Sequence, residues 1–334
     1  MEQKISDSIS LKKETEGDSQ RKFAYKNLII RYGTIVALFL ITIILAFTAP
    51  NFMTVTNIKN LLAQTAVLGI VAVGLTFVSI PGEMDVSMGS VVVLAGVFSV
   101  SMMTQGHGLF VAIGVGLMVG ILVGLINGFV TIYGHVSSLI VTLTVGAILD
   151  GVSLLYTGGF RLYKGILPSY RYLGIGEFSG VPMPVVILFA VVAVAYLLAH
   201  RTIFGRRLYA IGGNIDAARL VGINPKLLTL IPFMIGSLTA ALAGVIVTAR
   251  IGTAEPFVRF GYTLDAFAVV FIGTTIGAEG EPNIPGTLLG IIILGVLSNG
   301  MTLLGAPFFA QNILKGALVL ATVVVSSLLR HQQK

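Results

Sequence analysis

The sequence predicts an all-helical membrane protein, a single polytopic bundle of about ten transmembrane helices with several of them short or broken. Three observations carry that prediction. Hydrophobic residues make up 55% of the 334-residue chain and charged residues only 10%, against about 25% charged in soluble domains. The mean hydropathy is +0.96. Apolar stretches of spanning length recur from residue 29 almost to the C-terminus. So few charged groups leave too little polar surface to face water, and lipid is the solvent that most of the chain expects.

A helix that crosses the hydrocarbon layer needs about 20 mainly apolar residues. Ten stretches meet or approach that length: 29–49, 58–80, 89–104, 109–132, 137–157, 182–200, 227–249, 263–277, 286–304 and 311–329. Breakers mark most boundaries, among them Pro50, Pro81, Gly106, Gly134, Gly158, Pro182, Pro285 and Pro307. The third and eighth stretches are short and read as half-helices or strongly tilted spans. The fourth carries Gly116, Gly120, Gly124 and Gly128. Glycine at every fourth position flattens one helix face, which lets helix backbones approach closely in lipid.

Residues 1–27 hold Lys4, Lys12, Lys13, Arg21, Lys22 and Lys26 with several acids and almost no apolar run. They read as a solvated, disordered cytoplasmic tail and not as a signal peptide, because no short apolar core with a small-residue cleavage site follows the charges. Residues 28–330 read as one transmembrane domain. Most of the chain's 21 Lys and Arg residues fall in three places: the tail through Arg31, the cluster Arg201, Arg206, Arg207, Arg219 and Lys226, and the end with Arg330 and Lys334. The positive-inside rule then places both termini and the 205–225 loop in the cytoplasm. Residues 158–181 become the largest outer loop. The net charge of +7 does not indicate nucleic acid, since the basic residues form no aromatic-interleaved patch and follow membrane topology.

Enzyme chemistry finds no footing. The chain has no cysteine, no GxxxxGK phosphate loop and no HExxH helix, and no GxSxG elbow. His107, His135, His200 and His331 are scattered over different spans and ends, so no metal-ligand spacing arises. The chain is expected to be no enzyme and to hold no cofactor or metal of its own.

One stretch stands apart from the oil: "GRRLYAIGGNIDAARLVGINP", residues 205–225. Gly212 and Gly213 are expected to break what precedes them. Asn214 is a good N-cap, and Asp216 lies in the first turn, where the helix dipole favours an anion. Ile215, Ala217, Ala218, Leu220 and Val221 then form a two-turn helix, with Gly222 placed to end it and Pro225 beyond. Small residues on this helix suit docking into a protein groove better than burial in lipid.

The stretch resembles the cytoplasmic signature of permease subunits in ATP-binding-cassette importers of the ribose, arabinose and xylose type. So do "GEMDVSMGSVVVLAG" (82–96), "GLINGFVTIYGHVSSLIVTL" (124–143), "GYTLDAFAVVFIGTT" (261–275), "GTLLGIIILGVLSNGMTLLG" (286–305) and "QNILKGALVLATVVV". Their order and spacing cover nearly everything after residue 30. The resemblance implies a coupling helix in 205–225 that inserts into a cytoplasmic ATPase subunit, which binds the ATP. Gly205, Arg206, Gly213, Asn214, Asp216, Ala217, Ala218, Arg219 and Gly222 are the residues it assigns to that contact. It further implies a second permease subunit, an extracytoplasmic binding protein, a bacterial inner-membrane location, and a monosaccharide or related polyol as solute. The chain departs from the family at Val86-Ser87-Met88, where Leu-Ser-Val is usual after the aspartate, and at "IGAEGEPNIPG" after Thr275.

Glu83 and Asp85 interrupt apolar sequence between the second and third spans. A charge at bilayer centre costs about 2.5–3.5 kcal/mol on insertion scales and so tends to face a cavity or a partner. Glu83, Asp85 and Ser87 are therefore candidates for the translocation pathway or its gate, the alternative being a carboxylate that only caps the helix starting near Ser87. "GEPNIPGT" before the ninth span echoes "GEMDVSMGS". Asn127, Asn299 and Thr302 are polar groups inside spans and read first as interhelical hydrogen bonds, with Asn127 and Asn299 kept in the pathway set. Asp265 is expected to cap its helix or to pair with Arg259. A secondary transporter driven by an ion gradient is the alternative function. Such carriers place ionisable residues at midplane, and here only Asp85 and Asp150 offer themselves.

Overall fold

The computed structural model describes residue 36 and residues 38–256, 261–275 and 280–331. The tail expected over 1–27 lies outside the described residues. The long helices are α1 (Leu38–Thr48), α2 (Val55–Ser79), α3 (Met88–Thr104), α4 (Leu109–Tyr133), α5 (Ser138–Thr157), α7 (Met183–Tyr196), α10 (Pro225–Ile251), α11 (Gly261–Thr274), α12 (Ile284–Leu303) and α13 (Phe308–His331). Shorter elements join them. These are α6 (Pro168–Ile175), a two-stranded hairpin of β1 (Glu177–Phe178) and β2 (Val181–Pro182), and the pair α8 (Ile203–Gly213) and α9 (Ile215–Leu220).

Six helices among the described residues are long and apolar enough to cross a membrane, α7 qualifying together with the π-helical turn Leu197–Arg201 that extends it. Four shorter apolar helices, α1, α3, α11 and the Phe308–Ala321 part of α13, occupy the other expected positions. The third and eighth stretches are indeed short, with 17 residues in α3 and 14 in α11. At about 1.5 Å per residue neither matches the ~30 Å hydrocarbon thickness.

Local chemistry sets the helix ends. Thr54 accepts from the Asn57 N–H at the start of α2, and Asn224 accepts from the Lys226 N–H at the start of α10. Gly158 and Gly252 end α5 and α10 in the left-handed conformation, which glycine adopts without steric cost. α8 corrects one expectation. The helix runs through Gly212 and Gly213 and stops only at Asn214, whose N–H still closes onto the Ala210 carbonyl at 3.1 Å. Gly212 lies against the Ile80 carbonyl, where any side chain would collide. Gly212 serves close packing at that point, and the glycine pair does not break the helix.

α2 is the central helix. Its most apolar window is 83% buried within the protein, against 28% for α4. α4 and α5 instead turn large apolar side chains outward, Phe110, Leu122, Phe129, Ile140 and Leu155 among them. That is the surface a lipid environment requires. The glycine face of α4 points the other way. A Cβ at Gly124 would meet the Met234 Cα and the Phe233 carbonyl of α10, both at 2.6 Å, and one at Gly116 would meet the Ala95 carbonyl of α3 at 3.1 Å. The same close approach recurs between α10 and α3 at Gly244 and Gly96, and between α11 and α12 at Gly273 and Gly286. Packing replaces the hydrophobic effect as the force between helices in lipid.

The bundle has two distinguishable ends. Gly174 of α6 packs on the backbone of Arg250 at the C-terminal end of α10, and Lys59 pairs with Glu177 at 2.7 Å at the start of α2. α8 and α9 sit at the opposite end, beside the C-terminus of α2 and the N-terminus of α10. Gly124→Val should force α4 from α10 and destabilise the fold by about 1–3 kcal/mol, as overpacking typically does. Gly114→Val should be tolerated, since a Cβ there meets nothing within 4 Å. Thermal unfolding of the two variants in detergent checks this, and equal melting temperatures would contradict it.

Candidate functional site

Asp85 is fully buried in the turn between α2 and α3. Its Oδ1 accepts from the Ser87 N–H at 2.9 Å and from the Ser87 hydroxyl at 2.6 Å. Ser87 Oγ in turn accepts from Asn127 Nδ2 of α4 at 2.8 Å. Three of the residues read from the sequence thus form one chain of contacts. The carboxylate does cap the backbone, yet Asp85 Oδ2 and Asn127 Oδ1 have no hydrogen-bond partner among the described residues. Side chains from α5 and α11 hold the rest of the turn. Ser138 Oγ accepts from the Met84 N–H at 3.1 Å, and Thr142 Oγ1 accepts from the Val86 N–H at 3.0 Å. Thr263 Oγ1 accepts from the Gly89 N–H at 2.9 Å. Glu83 stands apart, half-buried and without a bond to another described residue.

A second turn repeats the pattern. Gly82 and Gly280 both have positive φ, 92° and 67°. Each is followed by a glutamate and, two residues after that, by the residue that caps the backbone ahead. Asn283 Oδ1 accepts from the Gly286 N–H at 2.7 Å at the start of α12, as Asp85 does before α3. The echo between "GEMDVSMGS" and "GEPNIPGT" is therefore structural.

α8 rests on both turns. Gly212 touches the Ile80 carbonyl, and the Tyr209 hydroxyl donates to the Pro282 carbonyl at 3.0 Å. α9 is capped as its sequence indicates. Asn214 Oδ1 accepts from the Asp216 and Ala217 N–H groups, both at 3.0 Å. Arg219 pairs with Asp216 at 3.1 Å. Gly222 has a φ of 79°. The Ile223 N–H bonds the Ala218 carbonyl at 3.1 Å, and the Gly222 N–H bonds that of Arg219 at 3.0 Å, which together close the helix end. Ala218 is buried against the protein, whereas Ala217 faces out beside Leu220 and Val221, 89% and 75% exposed. Gly205 packs on the Ala199 carbonyl and serves the bend between α7 and α8. Arg206 and Gly213 are exposed or nearly so on α8.

The remaining site residue, Asn299, lies elsewhere. It forms a reciprocal amide pair with Asn57 of α2, at 3.0 and 2.9 Å, far along the helix from the Asp85 turn. It also borders a cavity of ≈ 770 Å³ between α2, α11, α12 and α13. Asp265 lines the same cavity. Among the described residues its partner is Lys315 of α13, at 2.7 Å, while Arg259, the partner expected from the sequence, lies outside the described residues. Both side chains are largely withdrawn from solvent, and an ion pair is what makes two such charges tolerable there.

A family model described as "Branched-chain amino acid transport system / permease component" matches residues 57–323. The chain belongs to this permease family. The ribose import permease protein RbsC of Escherichia coli K12 is 37% identical over 94% of this chain and 98% of its own length. RbsC of Bacillus subtilis 168 is 36% identical over 94% and 98%. The L-arabinose transport system permease protein AraH of Escherichia coli K12 is 33% identical over 95% and 96%. No solved structure matches the chain. The permease is thus the membrane component of a transport system and not an enzyme, the ATPase of such systems being a separate subunit.

Several contributors to the permease's turns carried no signal in sequence. Ser138, Thr142 and Thr263 are ordinary hydroxyls in apolar helices, and Tyr209 is one tyrosine among ten. Asn57 sits just ahead of its apolar stretch. Ser87→Ala should cost about 1–3 kcal/mol, because it removes one bond to Asp85 and leaves the buried Asn127 amide unpaired. Glu83→Gln should leave stability unchanged. Denaturation of the purified subunit distinguishes the two, and an unaffected Ser87→Ala protein would show that the turn does not rely on this bond.

Proposed function

We propose that the chain forms the translocation pathway of an ATP-driven importer of a monosaccharide, with the α8–α9 segment as its coupling element. The observation that carries the coupling role is the seating of α8 on both capped turns while α9 presents Ala217, Leu220 and Val221 outward. A partner that moves α8 acts at once on the turn containing Asp85 and on the turn containing Asn283. The sugar reading rests on the relatives, whose names specify ribose and arabinose over nearly their full lengths, although the broader family description names branched-chain amino acids.

In this reading the bundle spans a bacterial inner membrane, with α3 and α11 crossing only part of it, and both termini face the cytoplasm. The α8–α9 end meets the ATPase, and the end with α6 and the β-hairpin receives an extracytoplasmic binding protein. A second permease subunit, the same chain or a paralogue, completes the pathway. Gly205, Arg206, Gly213, Asn214, Asp216, Ala217, Arg219 and Gly222 shape or flank the docking element. Ala218 supports it from beneath. Glu83, Asp85, Ser87 and Asn127 form the gate region, where the unpartnered Asp85 Oδ2 supplies a charge free to respond to movement.

Proteoliposomes containing the permease, its ATPase and its binding protein should take up ribose or arabinose with ATP inside. Uptake driven by a proton or sodium gradient without ATP would refute the reading. Leu220→Asp should leave the permease inserted and folded while abolishing ATPase copurification or transport, and full activity in that variant would remove α9 from the interface. Asp85→Asn keeps the cap, since Asn caps as well as Asp. It should assemble normally, lower transport about tenfold or more, which is about 1.4 kcal/mol or more, and blunt the stimulation of ATP hydrolysis by loaded binding protein. Unchanged stimulation and uptake would reduce Asp85 to a cap.

A further inference from the structure

The cavity between α2, α11, α12 and α13 combines apolar walls with several hydrogen-bonding side chains and an ion pair. Its volume of ≈ 770 Å³ lies in the size range of small-molecule sites. Into it the helices bring Gln64 and Thr65 of α2, Ser298 of α12 and Asn312 of α13. None of these four side chains bonds to another described residue. Thr65 is the telling case. Thr76, Thr142, Thr157 and Thr248 satisfy their hydroxyls on the carbonyl four residues back, the usual fate of a helical threonine in an apolar setting. Thr65, buried as they are, does not. Gln64 and Asn312 stand at the cavity's open edge, whereas Thr65 is buried and Ser298 half-buried, and a hydroxyl so placed without a protein partner is costly in an apolar setting. It is understandable if a solute is to supply the partners.

The charges on the wall define the solute further. Asp265 and Lys315 are the formal charges there, and they neutralise each other at 2.7 Å with their side chains only 17% and 15% exposed. The cavity therefore offers no net charge to a ligand. An ammonium or carboxylate would have to compete with a pair already made. A hydroxyl, by contrast, can accept from Lys315 and donate to Asp265 without separating them. The Tyr262 and Phe308 rings on the wall add apolar faces for C–H groups.

We propose that this cavity is an intramembrane binding site for an uncharged, hydroxyl-rich solute of monosaccharide size, with the Asp265–Lys315 pair as its polar centre. The inference rests on the transport reading above and deepens it. It places a solute site inside one subunit, between α2 and α13, separate from the turn that holds Asp85. It also favours a neutral sugar over a zwitterionic amino acid.

The chain's lack of cysteine allows a direct test. Gln64→Cys and Asn312→Cys, made singly, are to be labelled with a membrane-impermeant thiol reagent in the assembled complex, with ATP and binding protein present. Ribose, arabinose and leucine serve as probes, and uptake is measured in the same vesicles. The expected result is labelling slowed about fivefold or more by whichever sugar is taken up, and unchanged by leucine. Asp265→Asn combined with Lys315→Gln should still assemble with the ATPase and should raise the KM for that sugar about tenfold, equivalent to about 1.4 kcal/mol. Equal labelling with and without a sugar that the same vesicles take up would overturn this site and leave the transport reading intact. Protection by leucine alone would overturn the solute class. Vesicles that take up neither sugar with ATP would overturn the transport reading and this site with it.

Discussion

In a chain with so few charges, every place where a helix stops must have its backbone satisfied by the protein itself. No water in the hydrocarbon layer will do it, and an unmet N–H or carbonyl there costs several kcal/mol. The turn between α2 and α3 answers this constraint with imported side chains. Ser138 and Thr142 from α5, Thr263 from α11 and Asp85 from the turn itself each accept one backbone N–H. The turn before α12 answers it with Asn283. The helices around each turn are held where they are partly because their hydroxyls are engaged there. Remove that constraint and α3 could lengthen into an ordinary spanning helix.

The glycine contacts follow from the same need. The amide on α4 and the hydroxyls on α5 and α11 reach a turn only if those helices stand close to α3. Gly116 brings α4 against α3, and Gly146 brings α5 so near that an added Cβ would stand 3.4 Å from the Ser87 Cα. Asn127 can then span the distance to Ser87. Polar bonding and small-residue packing are thus not independent contributions. The glycines set the spacing at which short side chains such as serine and threonine can serve a neighbouring backbone.

How much of this could be read from the chain depends on how local each signal is. The helix after Asn214 was legible to the residue, because its caps, Asn214 and Gly222, lie within the segment they terminate. Asp85 was legible as a charge ahead of a helix starting near Ser87, and Asn127 as a polar group inside an apolar span. The partner of Asp265 was not, since Lys315 is 50 residues away on another helix and no spacing rule registers two helices across a bundle. α8 was misjudged for a related reason. Glycine is a poor helix former on its own, and only the proximity of the Ile80 carbonyl explains why Gly212 belongs inside a helix. The amide pair of Asn57 with Asn299 was half visible: Asn299 drew notice inside an apolar run, while Asn57 at the edge of one did not.

α8 meets the two turns by unlike means. On one side it is backbone against backbone, Gly212 on Ile80, with no side chain between to yield. On the other it is a single phenol at the end of a rotatable side chain, Tyr209 on Pro282. A push along α8 would therefore be shared unequally. The stiff contact would carry most of the stroke to the base of α3, and the compliant one would give by swinging a ring before α12 moved. Two turns alike in sequence would then respond at different times, as steps in an order and not as the two jaws of a symmetric clamp.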